Sequence, residues 1–387
     1  MKIAILHSGD LANVSPGGIS QYIEKVIKYS DNNTITVFGT IEEGSIMKIG
    51  QAYELELCNK KYSFIPVNTN KRSPISIFYF INIFKYFKLL KNYDVIYAQR
   101  MEYAIPFVFS SLKKKVVFGI HGSGKYSYLY WGNFIGTIYN WVESLAIKTS
   151  QKVIVLLKRE EFGLPYYQKK FISSKDKFFY GKVPIDTEIF RKVDKEQARK
   201  KYGFFDNDNV ILYFGRIDNN PKRVLLIPEI IDKLNKKLPN VKCIIIGDGS
   251  DRDKLLNKIS VLNLKDNIHV HGKIEHGDKL VELINCSDIS LILSTFEGIC
   301  MSALESLVCG VPVLSTDVGD INEYINNNSN GILIKNISDN EVVKNVVDEL
   351  EKFFINKNIH INDKYVEYEG ERVIKELNDI FGEIHGK

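Results

Sequence analysis

Short apolar runs of strand character alternate with stretches of helical periodicity along most of this chain. The runs lie at Lys2–Leu6, Thr34–Phe38, Asp94–Ala98, Lys115–Ile120, Lys152–Leu156, Val210–Phe214, Val241–Ile246, Ile268–His271, Ile289–Leu293 and Val311–Ser315. Helical spacing follows several of them, as in Ile23, Val26 and Ile27 after Ser20, and again across Leu225–Leu238. Such alternation predicts parallel α/β sheets. A chain of 387 residues is long for one domain of this kind and suits two. Gly181–Asp206, polar and without periodicity, is the predicted joint.

Composition narrows the class. An apolar fraction of 44% with 26% charged residues is that of a water-soluble globular protein. The first apolar run is too short for a signal peptide and leads straight into a polar loop, and no run is long enough to span a bilayer. The five cysteines are scattered and lack metal-ligand spacing, which fits a reduced, cytoplasmic setting and buried thiols. A net charge of +5 does not by itself point to nucleic acid.

The densest chemistry lies in Ser294–Asp320. The run Ile289–Leu293 is followed by a polar loop with Glu297 and Gly298, then by a predicted helix from Met301 that carries Glu305 and stops at Cys309-Gly310. The first N–H groups of a helix lack partners and its dipole is positive there, so the helix start attracts anions. Carboxylates beside a phosphate repel it. Glu297 and Glu305 are therefore suited to accept hydrogen bonds from hydroxyls, as on a sugar or ribose. The expected ligand is a nucleotide-sugar.

Other candidate positions fall just after predicted strands, at the edge where open α/β sheets bind ligands. Arg216 and Lys222 lie on the loop after Val210–Phe214, where cations complement a diphosphate. Gly247 and Gly249 follow Val241–Ile246, and Lys273 follows Ile268–His271. His121 is ringed by Gly119, Gly122 and Gly124. Gly17-Gly18 open a helix after the first strand, where backbone can approach a phosphate. Their spacing is not the dinucleotide-cofactor fingerprint, which argues against a nicotinamide-dependent dehydrogenase.

Lys60–Lys91 has seven cations, no Asp or Glu, and interleaved Tyr and Phe. On a helical wheel Ile77, Phe80, Ile81, Phe84 and Phe87 share one face, and Tyr79, Asn82, Lys85, Tyr86 and Leu89 spread over another. A basic, aromatic-rich amphipathic helix suits an anionic membrane surface. The plainer alternative is a surface helix packing one face on the sheet. Nucleic acid is not expected, because no binding module accompanies these residues.

In chain order, Gly17-Gly18, His121, Pro184-Ile185-Asp186 with Phe190, Gly215-Arg216 with Lys222, Ile246-Gly247-Asp248-Gly249, and Glu297 with Glu305 ahead of Cys309-Gly310-Val311-Pro312-Val313 resemble the retaining GT-B glycosyltransferases of family 4, or group 1. The resemblance implies an α/β GT-B fold of two facing Rossmann-like domains. Residues 1–186 would bind the acceptor and 187–365 the nucleotide-sugar, with a C-terminal helix, about 366–387, crossing back. By similarity Arg216 and Lys222 would hold the donor diphosphate and Glu305 the ribose. Glu297 and the backbone of Gly298, Ile299, Cys300 and Met301 would contact the transferred sugar and distal phosphate. Gly247, Gly249 and Lys273 would complete the donor site. His121 would sit beside the sugar, and Gly17 and Gly18 would approach the phosphate. His121, Glu297, Arg216 and Lys222 form the implied catalytic set.

The chain departs from the family pattern at Ile299-Cys300, where Phe-Gly is common, and at Arg223, where glycine commonly follows the lysine. The implied reaction transfers a sugar, with UDP-sugar as the expected donor, to a glycan or lipid-linked glycan. No metal or other cofactor is expected, and the expected setting is the cytoplasm or the inner membrane face. Two alternatives stay open: a GT-B nucleotide-sugar epimerase, and a non-catalytic nucleotide-sugar-binding module.

Overall fold

The computed structural model describes the chain except residues 10, 12–17, 31–32, 71–74, 123–126, 327–328, 357–358, 360, 362–363 and 386–387, together with the side chains of 75–76, 127–131, 364, 366 and 385. Two compact units result: Met1–Pro184 joined by Tyr368–Lys387, and Ile185–Glu367.

The first unit is built on β1 (Lys2–Leu6), β2 (Thr34–Ile41), β3 (Tyr53–Leu57), β4 (Lys60–Thr69), β5 (Val95–Ala98), β6 (Val116–Ile120), β7 (Lys152–Val155) and β8 (Phe178–Tyr180). They form one eight-stranded sheet in the order β3-β4-β2-β1-β5-β6-β7-β8, parallel except for β3 against β4. Ile3, Ala4, Ile5 and Leu6 of the central strand are all fully buried, as expected of a strand covered on both faces. Each large aliphatic side chain so buried contributes about 1.5–3 kcal/mol.

The last helix, Gly370–His385, packs on this same sheet. Val373, Ile374, Leu377 and Phe381 form its buried stripe at helical spacing. The Phe381 ring meets Tyr97 of β5 edge-on at 5.2 Å, and Glu383 pairs with Lys152 of β7. The C-terminal segment thus returns to the N-terminal unit.

The second unit contains β9 (Asn209–Phe214), β10 (Val241–Ile246), β11 (Ile268–Val270), β12 (Ile289–Ile292), β13 (Val313–Thr316) and β14 (Gly331–Ile334). The sheet order is β11-β10-β9-β12-β13-β14, all parallel. In each unit successive strands leave the first one in opposite directions, creating a switch point at β1/β5 and at β9/β12. Loops after the strands on either side of such a point diverge and leave a crevice at the sheet's carboxyl edge.

One region corrects the sequence reading. Lys60–Thr69 is a strand, the second arm of a hairpin with Tyr53–Leu57. Cys58 and Asn59 turn it with both φ values positive, at 50° and 60°, the conformation of a tight two-residue hairpin turn. Helix begins only at Ile75 and runs to Ile83, followed by a short 3-10 turn and a further helical turn to Leu90. The apolar face of the wheel is the outward one. Tyr79 and Ile83 are fully buried, the Tyr79 hydroxyl donating to the Phe38 carbonyl at 2.6 Å. Ile77, Ile81 and Phe84, expected together on the apolar face, are 53%, 54% and 46% exposed. Tyrosine is amphipathic, so a buried phenol with a carbonyl partner outcompeted the purely apolar face for the sheet.

Candidate functional site

The loop after β9 is fixed mainly by backbone. Gly215 donates to Ile246 O at 2.9 Å and Ile217 to Asp248 O at 2.9 Å, tying the loop after β9 to the loop after β10. Gly247 has φ +147°, and a Cβ there would lie 1.8 Å from the Gly215 carbonyl oxygen. Only glycine allows these two loops to close. Gly249, next to Asp248, donates to its carboxylate at 2.8 Å. Lys273 is exposed on the loop after β11.

Both cations expected at this edge are already paired. Arg216 NH1 donates to Asp218 Oδ2 at 2.5 Å, and its side chain is 59% exposed. Asp218 Oδ1 also accepts from the backbone and hydroxyl of Ser250, each at 3.0 Å. Lys222 Nζ donates to Glu297 Oε1 at 2.5 Å, and Ser294 Oγ donates to the same oxygen at 2.5 Å. Lys222 and Glu297 are largely shielded from solvent, so their attraction is screened less than that of a surface pair.

After β12 the loop runs through Gly298, Ile299 and Cys300 into a helix over Met301–Val308 that begins at the expected residue. Cys300 caps it without a side-chain cap bond, and Ala303 N donates to the Cys300 carbonyl at 3.1 Å; a helix start of this kind suits an anionic acceptor. The Cys300 thiol is buried and pushed up to about 11, mainly by desolvation and then by Glu297, so it is a neutral thiol and not a nucleophilic thiolate. Gly319, after β13, has φ +54°, and a Cβ there would lie 2.4 Å from the Gly298 carbonyl oxygen. It therefore supports the Glu297 loop from behind.

Glu305 lies within this helix and is 3% exposed. Its Oε1 is buried and has no hydrogen-bond partner, with His276 Nε2 4.0 Å away. An unpaired buried carboxylate oxygen is costly unless a ligand donates to it. The His276 ring is held edge-on against Phe190 at 5.3 Å.

At the carboxyl edge of the first sheet lie His7 after β1, Gln99 and Arg100 after β5, and His121 after β6. His121 Nε2 is 2.7 Å from Gln99 Oε1, and its ring abuts Tyr22 edge-on at 5.2 Å. His7 Nε2 contacts Ser20 Oγ at 3.0 Å, while its Nδ1 is buried without a partner. Desolvation, then the Arg100 charge, lowers His7 to about 4. Desolvation, then His7 and Arg100, lowers His121 to about 3. Both rings are neutral near pH 7. Gly18 is the first residue of the helix Gly18–Lys28, whereas Gly17 lies outside the described residues.

The structure thus brings Arg216, Lys222, Gly247, Gly249, Glu297–Met301 and Glu305 to one edge of the second sheet, and Gly18 and His121 to that of the first. His7, Asp218, Ser294, Gly319 and His276 were not singled out from sequence. Gly319 had a local signal, a glycine one strand beyond the helix. His276 had none, being one exposed histidine on a polar loop.

A sequence profile described as "Glycosyl transferases group 1" matches residues 194–359. That stretch belongs to the group 1 glycosyl transferases. Arg216, Lys222, Gly247, Gly249, Lys273, Glu297–Met301 and Glu305 fall inside it, Gly17 and Gly18 outside, and the matched stretch lies within the second unit. Among curated relatives, N-acetyl-alpha-D-glucosaminyl L-malate synthase of Bacillus anthracis is 25% identical over 209 residues, 52% of each chain. The 2-deoxystreptamine N-acetyl-D-glucosaminyltransferase of Niallia circulans is 23% identical over 280 residues, 69% of each. The chain spans about half the length of the first of these relatives. Among solved structures, Anabaena HepE in complex with UDP superposes with a TM-score of 0.71 at 17% identity, covering 99% of this chain and 100% of that one. Sucrose-phosphate synthase of Thermosynechococcus elongatus gives 0.73 at 16%, covering 99% and 96%. At such identities the likeness establishes the fold, which is GT-B.

Proposed function

We propose that the chain is a retaining glycosyltransferase moving a sugar from a nucleotide diphosphate donor, a UDP-sugar, to a hydroxyl of a glycan or lipid-linked glycan. Cell-envelope polysaccharide or glycolipid synthesis is the setting that fits such an acceptor. The observation that carries the reading is the buried Glu305 oxygen without a partner, inside a helix whose start lies beside Lys222 and Glu297, within a group 1 domain. A ribose hydroxyl supplies the missing donor. The relative and the neighbour named above, a glucosaminyltransferase and a UDP complex, support the same class of donor.

Cleaving a sugar–phosphate bond requires stabilising the leaving diphosphate as its charge grows. A charge-assisted hydrogen bond contributes about 1.5–3 kcal/mol, and about 1.4 kcal/mol is a tenfold rate factor. Arg216 and Lys222 are paired before donor arrives, so each gains only the difference between its carboxylate and the diphosphate. Positioning of the donor must supply the remainder. The Lys222–Glu297 pair suits this task, because Glu297 is released to a sugar hydroxyl when the phosphate takes the lysine. His121, on the first unit, is kept neutral by burial and adds no charge. Cations and helix start supply the positive field, so chelation with EDTA is expected to leave the rate unchanged.

Thermal stabilisation across UDP-, GDP- and ADP-sugars tests the donor, with the largest shift expected for UDP-sugars. No shift with any of them overturns the reading. A donor-only time course followed by NMR separates transfer from epimerisation, since an epimerase converts the donor without acceptor.

The acceptor side includes a membrane. No helix among the described residues is long and apolar enough to cross one. The exposed Ile77, Ile81 and Phe84 are followed by exposed Lys85 and Lys88, a pattern suited to lying on an anionic bilayer. Salt-sensitive co-sedimentation with phosphatidylglycerol vesicles, absent with phosphatidylcholine, is the expected result. Equal recovery from both ends this part of the proposal.

A further inference from the structure

Arg223 occupies the position where the family commonly has glycine, and its backbone is what glycine would favour: φ +51°, ψ 31°. A side chain with a Cβ is disfavoured there, and the arginine side chain makes bonds that glycine cannot. The guanidinium is buried, and all three of its nitrogens are engaged. NH1 donates to Asn336 Oδ1 at 2.7 Å, NH2 to the Ile337 carbonyl at 2.9 Å, and Nε lies 2.8 Å from Asp339 Oδ1.

Asn336 in turn donates through Nδ2 to the Thr295 carbonyl at 2.9 Å. The backbone N–H of Thr295 donates to the Pro221 carbonyl at 2.8 Å. A closed ring results: from Pro221 through Lys222 to Arg223, across Asn336 to Thr295, and back to Pro221. Lys222 lies between the two attachment points on one loop, and Glu297 is two residues past Thr295 on the other. Lys222 also joins the two loops through its ion pair with Glu297, the pair that the proposed donor would break.

We propose that Arg223 is a positioning residue that keeps the Lys222 and Glu297 loops in register while Lys222 changes partner from Glu297 to the donor diphosphate. The inference rests on the donor-site reading above. A planar, permanently charged fork suits this task, because it satisfies three acceptors in fixed geometry where lysine offers a single mobile ammonium. Without the fork, releasing Lys222 from Glu297 leaves the loops joined only through Pro221 and Thr295, and the lysine is presented in many orientations.

The test is a double-mutant cycle on the full chain, read by calorimetric titration with whichever of UDP, GDP and ADP gives the largest thermal shift. Arg223→Gly relieves the backbone and removes the fork. It is expected to weaken binding about tenfold with Lys222 present and less than about twofold in a Lys222→Ala background. Arg223→Lys is expected to recover only part of the loss. Asn336→Ala breaks the same bridge without touching residue 223 and should show the same dependence on Lys222, with a loss of about threefold. It serves as the readout if Arg223→Gly does not fold.

A purely structural arginine would give losses of equal size with and without Lys222, and that result overturns the inference. Unchanged affinity in both Arg223→Gly and Asn336→Ala overturns it as well. If Lys222→Ala itself binds the nucleotide normally, the donor-site reading fails. If Lys222→Ala is impaired while both bridge variants are normal, only the role of Arg223 fails.

Discussion

At the carboxyl edge of the first sheet two histidines are kept neutral by burial beside Arg100, which pairs with Glu102, and a buried ring nitrogen of His7 is unpartnered. At the equivalent edge of the second sheet Arg216 and Lys222 are each held by a carboxylate, Asp218 and Glu297. The same topological position has been prepared by two different routes. Desolvation removes charge and leaves hydrogen-bonding capacity for a neutral, hydroxyl-rich ligand. Pairing preserves charge and makes it available only to a ligand that outcompetes the resident carboxylate. A diphosphate does so; a neutral sugar does not.

The largest effect is expected at Glu305. Glu305→Ala is expected to lower transfer at least about a hundredfold without lowering the melting temperature, because Glu305 Oε1 is buried without a partner in the free protein and its removal relieves that cost. Near-normal steady-state turnover of this variant would remove the donor assignment.

Lys222→Ala is expected to lower kcat/KM about ten- to a hundredfold and also to destabilise the fold, since Glu297 is left shielded from solvent without its cation. The double variant Lys222→Ala/Glu297→Ala should recover stability but not activity. Unchanged melting in the single variant would show that the pair is not the preformed switch described above.

Acid probes the first edge. His7 and His121 titrate near 4 and 3 when folded, against 6.5 as the ordinary value. Between pH 6.5 and about 4 the unfolded chain binds more protons, so their contribution to stability is complete above 6.5 and is lost on acidification. Melting temperature followed from pH 7 to 4 should fall, and less steeply in His121→Asn. Identical slopes would mean that this histidine is not held neutral.

The smallest effect is expected at the membrane face. Ile81→Asp should reduce recovery on phosphatidylglycerol vesicles severalfold with no change in nucleotide binding, since burying a new carboxylate in a bilayer surface is unfavourable. Unchanged recovery would return this helix to the role of an ordinary surface element.

Much of the fold was legible in the residues because its strands are buried on both faces and read as continuous apolar runs. Lys2–Leu6 and Val241–Ile246 have the predicted bounds, and the helix after the Glu297 loop starts at Met301. The β3–β4 hairpin was missed because Tyr53–Leu57 alternates apolar with acidic residues and its Cys58-Asn59 turn carries no glycine signal. Which face of Ile77–Leu90 packs inward was not legible, since a helical wheel ranks faces by apolarity and cannot see the Phe38 carbonyl that accepts the Tyr79 hydroxyl.

By itself the sequence determined the alternating α/β order and the identity of the cations and carboxylates at the strand ends. Those features depend on local pattern, namely hydrophobic period, glycine placement and the spacing of charged side chains. Tertiary structure decided which charge is already spoken for, which carboxylate oxygen is left bare, and which histidines are neutral. It also turned Arg223 from an irregularity after Lys222 into a bridge reaching Asn336. Partners so distant in the chain are fixed by how sheets and loops pack, and pairing and desolvation exist only once they have.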